Sequence, residues 1–252
     1  MKISKYFHSI LVPGLLFAGV AQAELPAGVF TSVATFKRGQ EALPSDYVNT
    51  IPNQIYDLLQ KSEQQYLAAS NGGCADKTQV DYVSKINTTD NAVIKDFESG
   101  FIRIEVAKCF SGTTAAKVLQ VLGSAEFKKK AFATLTSPPQ QKDQNTICET
   151  SKTPHLGEAS YCYKTFLNDQ DPQYLKSFSV NDAFDITGQY TVPVFMRQSL
   201  VSARQVGSSV QLYSVTYARG PKLGSLVKIF AKSFIASAQD EVFSKLNEAV
   251  KK

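Results

Sequence analysis

Gly220-Pro221-Lys222-Leu223-Gly224-Ser225-Leu226-Val227-Lys228-Ile229-Phe230-Ala231-Lys232-Ser233-Phe234, running on through Ile235 to Val250, is the stretch that decides the fold. The Gly-Pro pair stops the preceding element, and the residues after it have helical periodicity. Leu226, Ile229, Phe230, Phe234, Ala238, Val242, Leu246 and Val250 fall on one continuous face. An apolar stripe of this length must be buried against something large, and a curved sheet is the natural partner.

That sheet is legible immediately upstream. Five strand patterns occur between Asn145 and Arg219: Asn145–Thr150, Glu158–Phe166, Tyr174–Ile186, Tyr190–Arg204 and Ser208–Arg219. Turn signals part them at Pro154/Gly157, Asp169-Gln170-Asp171-Pro172, Thr187-Gly188 and Val206-Gly207-Ser208. Gaps this short join antiparallel neighbours, so the prediction is a meander. Further back, Phe101-Ile102-Arg103-Ile104-Glu105-Val106 alternates, with Ile102, Ile104 and Val106 on one side and Arg103 and Glu105 on the other. Thr113-Thr114 then caps a helix striped by Ala115, Val118, Leu119 and Leu122. Gly123-Ser124 breaks it, a short helix is predicted from Ala125 to Leu135, and Pro138-Pro139 ends that region.

The N-terminal part is less regular. A helix is predicted from Ile51 to about Ser70, with Ile55, Leu58, Leu59, Tyr66 and Ala69 on one face and Asn71-Gly72-Gly73 as its stop. Residues 74–99 fit neither period and are read as a mixed connector. The expected organisation is a leader at 1–23, an extension with one helix at 24–98, and the main domain at 99–252.

The order strand, two short helices, meander and long terminal helix resembles the helix-grip fold of the START-like and polyketide-cyclase-like superfamily. Phe101–Val106, Thr113–Leu122, Val210–Tyr217 and Leu223–Val250 carry the resemblance, which covers residues 100–252. It implies an α+β protein in which a curved antiparallel sheet wraps the last helix. It also implies an apolar cavity between them for lipids, sterols or other hydrophobic small molecules.

Strand alternation supplies candidate ligand-binding residues. It groups Tyr213, Val215 and Tyr217 on one strand and Tyr161 with Tyr163 on another. Val194 and Met196 come from a segment apolar on both faces; Phe230 and Phe234 come from the terminal helix. Tyrosine suits such a site, being a flat apolar body with one hydroxyl that still pairs when buried. Arg197, Arg103 and Glu105 are the charged strand residues that become polar anchors if they face inward.

Four cysteines, Cys74, Cys109, Cys148 and Cys162, read as two disulfides. Of the three possible connectivities the expected one joins Cys148 to Cys162 across neighbouring strands, leaving Cys74 for Cys109. Structural zinc is disfavoured, because no cysteine pair has the short spacing that zinc sites use and His155 is the only histidine after the leader.

The leader itself has Lys2 and Lys5, an apolar run from Ile10 to Val20, and the small-x-small site Ala21-Gln22-Ala23. Its removal predicts a periplasmic or secreted protein. With 27 Lys and Arg against 22 Asp and Glu over 252 residues, the charge is mild and scattered, which excludes nucleic acid as a partner. The longest basic run, Lys128-Lys129-Lys130, reads as a solvated helix end. No Gly-x-Ser-x-Gly elbow, phosphate loop or dinucleotide fingerprint occurs. The expectation is therefore a carrier for a lipid or other hydrophobic molecule, with no cofactor and no catalytic residue. A cyclase- or hydrolase-like enzyme using His155, and a cell-envelope protein-interaction module docking a partner through residues 24–98, are the alternatives; a membrane-surface contact would use Lys128-Lys129-Lys130.

Overall fold

Val210, Leu212 and Ala218 alternate with Tyr213, Val215 and Tyr217 along one strand, and all six are buried. A strand with no solvent face needs cover on both sides, and the rest of the molecule supplies it. The computed structural model describes residues 51–83, 86–87, 93–94, 101–132, 135–143, 146–153, 157–187, 196–219 and 225–251. The predicted leader, His155 and Val194 lie outside the described residues.

In chain order the elements are α1 (Ile51–Ala69), β1 (Lys77–Val83), β2 (Ile86–Asn87), β3 (Val93–Ile94), β4 (Phe101–Ser111), α2 (Ala115–Gly123) and α3 (Ala125–Ala131). Then come β5 (Gln140–Gln141), β6 (Thr146–Thr153), β7 (Gly157–Asn168), β8 (Tyr174–Thr187), β9 (Met196–Val206), β10 (Ser209–Arg219) and α4 (Ser225–Val250). Eight strands form one antiparallel sheet ordered β1-β4-β10-β9-β8-β7-β6-β5, and β2 pairs separately with β3. The last strand closes beside β4, so the meander folds back on its own beginning. Gly207, at φ +60°, makes the tight β9–β10 turn in a left-handed conformation that a side chain would strain. This is the helix-grip α+β architecture.

One face of the sheet, called here the grip face, carries Val80, Ile102, Ile104, Val106, Leu212 and Val201 against the helices α2, α3 and α4. Local sequence sets those helices. The Thr114 hydroxyl accepts the Lys117 N–H at 3.2 Å to start α2. Ser124 ends α2 and caps α3 by accepting the Phe127 N–H at 3.2 Å. The second helix stops at Ala131, short of Leu135. Helix α4 lies over β1 and β4 and against α2 and α3. Its buried face holds Ile235, Ala238, Val242, Phe243, Leu246 and Val250. Ile229, expected on that stripe, is instead 65% exposed.

The opposite face is covered by α1. Ile55, Leu59 and Tyr66 pack on Ala107, Phe166, Phe178, Leu200, Tyr213, Val215 and Tyr217. Tyr66 stacks on Tyr213 with ring centroids 4.8 Å apart, and Tyr56 meets Phe178 edge-on at 4.9 Å. Glu63, 1% exposed, is held by Tyr174 and Lys176, each at 2.8 Å. The segment read as a mixed connector contains β1, an edge strand of the same sheet. Val80 faces Ile104 across the ladder and is buried on the grip side, while Asp81 and Gln79 stand opposite Arg103 and Glu105.

Both disulfides have the expected connectivity. Cys148 and Cys162 are direct partners across β6 and β7, with Cα atoms 4.0 Å apart. Cys74–Cys109 fastens the turn after α1 to β4. Around it the Ala75 N–H donates to Gln211 Oε1 at 3.0 Å, Asp76 Oδ1 accepts the Cys109 N–H at 3.0 Å, and Arg204 donates to the Gly72 carbonyl at 3.0 Å. This bridge restricts the unfolded chain, so Cys74→Ser/Cys109→Ser is expected to lose about 2–4 kcal/mol in chemical denaturation with the sheet retained. An unchanged midpoint would show that the neighbouring hydrogen bonds alone fix that turn.

Candidate functional site

Alternation decides which side chains see α4. On β10 the even positions belong to the grip face and the odd ones to the α1 face. Tyr213, Val215 and Tyr217 are therefore together, as expected, but beneath α1 and away from the terminal helix. Their neighbours Leu212, Thr216 and Ala218 take the grip face instead. Tyr163 is buried on the grip side, where it meets Lys128 of α3. Phe234 is half-buried in α4. Tyr161, Met196 and Arg197 occupy strand positions opposite Glu149, Arg219 and Ala218, and Phe230 lies in α4; their side chains are outside the described residues. Arg103 and Glu105 face α1.

The grip face changes character across the sheet. One register level runs Thr165, Ser179, Ser199, Thr216, Ile104, Val80 across β7, β8, β9, β10, β4 and β1. All six are buried, and four are hydroxyls. Ser199 Oγ and Thr216 Oγ1 are 2.9 Å apart, and Thr165 Oγ1 lies 3.4 Å from Ser179 Oγ. The next level runs Leu167, Ser177, Val201, Ser214 and Val106. Ser177 there is fully buried, and its hydroxyl has no hydrogen-bond partner. On α4, the Gln239 side chain is buried with its Nε2 unpartnered. On the grip face the hydroxyls Thr165, Ser177, Ser179, Ser199, Ser214 and Thr216 of β7 to β10 are interspersed with Leu167, Leu175, Val201, Ala203 and Leu212, whereas β4 and β1 present aliphatic side chains there.

Beside these hydroxyls lies a buried ion pair. Lys128 Nζ is 2.8 Å from Glu149 Oε1 and 2.8 Å from the Tyr163 hydroxyl, which also donates to Glu149. Lys128 is 2% exposed, so it is not part of a solvated helix end. Sequence reasoning missed it because Lys129 and Lys130 set the tone of the run. The available signal was spacing: Lys128 precedes Ala131 by three residues and shares its buried face. Removing one partner leaves the other charge buried. Lys128→Met is expected to cost about 3–5 kcal/mol in thermal or urea unfolding, and Lys128→Met/Glu149→Leu to recover much of that loss.

Below α1 a second network centres on Glu105, 2% exposed. Lys77 approaches it at 2.7 Å and Arg103 at 2.8 Å, and the Tyr213 hydroxyl donates to it at 3.0 Å. Burial first, then the Glu105 carboxylate, push the Tyr213 phenol well above its usual range. Burial and Glu63 do the same to Tyr174, and burial alone pushes Tyr82 up to about 12. Each phenol holds its proton more tightly folded than unfolded. Their contribution is complete below the unfolded value of about 10 and is lost as the pH rises past it. Unfolding measured by denaturant from pH 8 to 11 is expected to show falling stability above about pH 10, and Tyr213→Phe to flatten the decline; an equal slope in that variant would contradict the assignment.

Among the described residues no helix is long and apolar enough to cross a membrane, and no group of three or more His, Cys, Asp or Glu is placed to hold a metal ion. No protein-family model matches the chain, and no curated protein matches it. Among solved structures the chain is similar to a fragment of a STAR-related lipid transfer protein from Xanthomonas axonopodis, at 10% identity and TM-score 0.47 over 70% of this chain and 99% of that one. It is also similar to human StAR-related lipid transfer protein 5, at 13% identity and TM-score 0.42 over 80% and 97%. A START superfamily protein from Mycobacterium smegmatis matches at 11% identity and TM-score 0.40 over 58% and 97%. The strand order and the seat of α4 on β1 and β4 define the architecture here: a helix-grip α+β fold.

Proposed function

We propose that this chain is an exported carrier that holds a lipid or other hydrophobic small molecule between the grip face and α4, without chemical change. The observation that supports it is the run of buried hydroxyls set among apolar side chains on the grip face. A sheet that needed only stability would fill β7 to β9 with branched aliphatics, which pack better than serine. Serines and threonines on β7 to β10 set small polar groups among the aliphatic side chains there, while β1 and β4 present Val80, Ile102, Ile104 and Val106. Ligand sites combine these two qualities, an apolar wall with a few polar groups that fix orientation. Residues 99–252 are the ligand-holding unit in this reading, and 24–98 brace it through α1 and β1. The two disulfides agree with a place outside the cytoplasm, periplasmic or secreted.

Native mass spectrometry of the full chain, purified without detergent, tests the reading. The expected result is a co-purified hydrophobic molecule at up to one per chain, removable by organic extraction and replaceable by an added lipid. A protein that emerges empty and takes up neither lipid nor an apolar fluorophore would overturn it.

A further inference from the structure

Helix α1 is fastened to the sheet unequally along its length. Its polar and covalent ties cluster toward its C-terminal end. Glu63 meets Tyr174 and Lys176 at 2.8 Å each, Tyr66 donates to the Ala75 carbonyl at 2.7 Å and stacks on Tyr213, and the Cys74–Cys109 bridge follows. The N-terminal half is seated by the packing of Ile55, Leu58 and Leu59 and by the contact of Tyr56 with Phe178.

Register places a buried polar group under that half. Helix α1 lies over β9 and β10. Running back from Tyr66 to Tyr56, it passes from the level of Tyr213 to that of Phe178, Leu200 and Val215. The next level in the same direction is Val180, Gln198 and Tyr217. Val180 and Tyr217 belong to the cluster that α1 covers, so Gln198, paired between them, faces the same way. Gln198 is fully buried, and among the described residues neither its amide nitrogen nor its amide oxygen has a hydrogen-bond partner. An unmet buried amide penalises the covered state, and uncovering returns it to water. Local opening follows the route of least free energy, which here runs through the end that lacks the Glu63 and disulfide anchors.

We propose that α1 is a hinged cover. Its N-terminal half, residues 51–60, lifts from β8 to β10 while the Glu63 anchors and the Cys74–Cys109 bridge hold the other end. Gln198 weakens closure from beneath. Each opening presents Phe178, Val180, Leu200 and Tyr217 to solvent, and each closure buries them again. The device acts on the face opposite α4 and is independent of the carrier reading.

Amide hydrogen exchange across α1, in the full chain with both disulfides formed, tests this. Residues 55–60 are expected to exchange roughly tenfold faster than 62–69. Gln198→Met, similar in length but lacking the amide, is expected to slow 55–60 by about tenfold, the worth of one unmet hydrogen bond, and to leave 62–69 unchanged. Ordinary fraying of a helix end does not respond to a residue in β9, so the variant separates the two causes. Gln198→Leu is a second apolar replacement should the first fail to fold. One exchange rate along the whole helix overturns the proposal. So does a rate at 55–60 that is unmoved or raised in the folded Gln198 variants, or a slowing spread equally over α1.

Discussion

Burial of β10 on both faces is the constraint on which the remaining structure depends. The strand lies between β4 and β9, so its backbone is satisfied on both edges, and its side chains then demand cover above and below. Helix α4 with α2 and α3 answers one demand, and α1 answers the other. Removing either cover exposes a row of aromatic or aliphatic groups, which a folded chain avoids. The N-terminal helix is thus as much a part of the sheet's burial as the terminal one, and the Cys74–Cys109 bridge and Glu63 anchors hold it in place.

The two faces are built differently. Beneath α1, aromatic stacking and the Glu105 network give directional contacts that fix one arrangement. On the grip side the aliphatic packing is non-directional, while the hydroxyl row is small and adaptable. Rigid packing on one face and an oxygen-lined wall on the other assign recognition to the grip side and scaffolding to the α1 side in the carrier reading. Lys128 and Glu149 border that wall and neutralise each other.

Much of this was legible in the residues. The Gly220-Pro221 stop and the periodicity after it gave α4, alternation from Phe101 to Val106 gave β4, and turn signals gave the meander almost strand by strand. Cysteine placement gave both bridges. Alternation says which side chains share a face, yet not which helix that face meets, and so Tyr213, Val215 and Tyr217 were grouped correctly and set beneath the wrong helix. Strand β1 was hidden because it is short and its single fully buried apolar residue, Val80, is flanked by the polar Gln79 and Asp81, which stand opposite Glu105 and Arg103. The hydroxyl row is invisible in any single strand. It exists only in the register between four of them, which is a tertiary property.

The chain contains no tryptophan, so a single introduced indole reports one location without background. The most direct measurement is quenching of that indole by a brominated monoacylglycerol, with the reporter at Phe234→Trp in α4 or at Tyr56→Trp in α1. Strong quenching at position 234 and little at 56 is the predicted result. Quenching at 56 with none at 234 would put the greasy site beneath the other helix and contradict the assignment of the two faces.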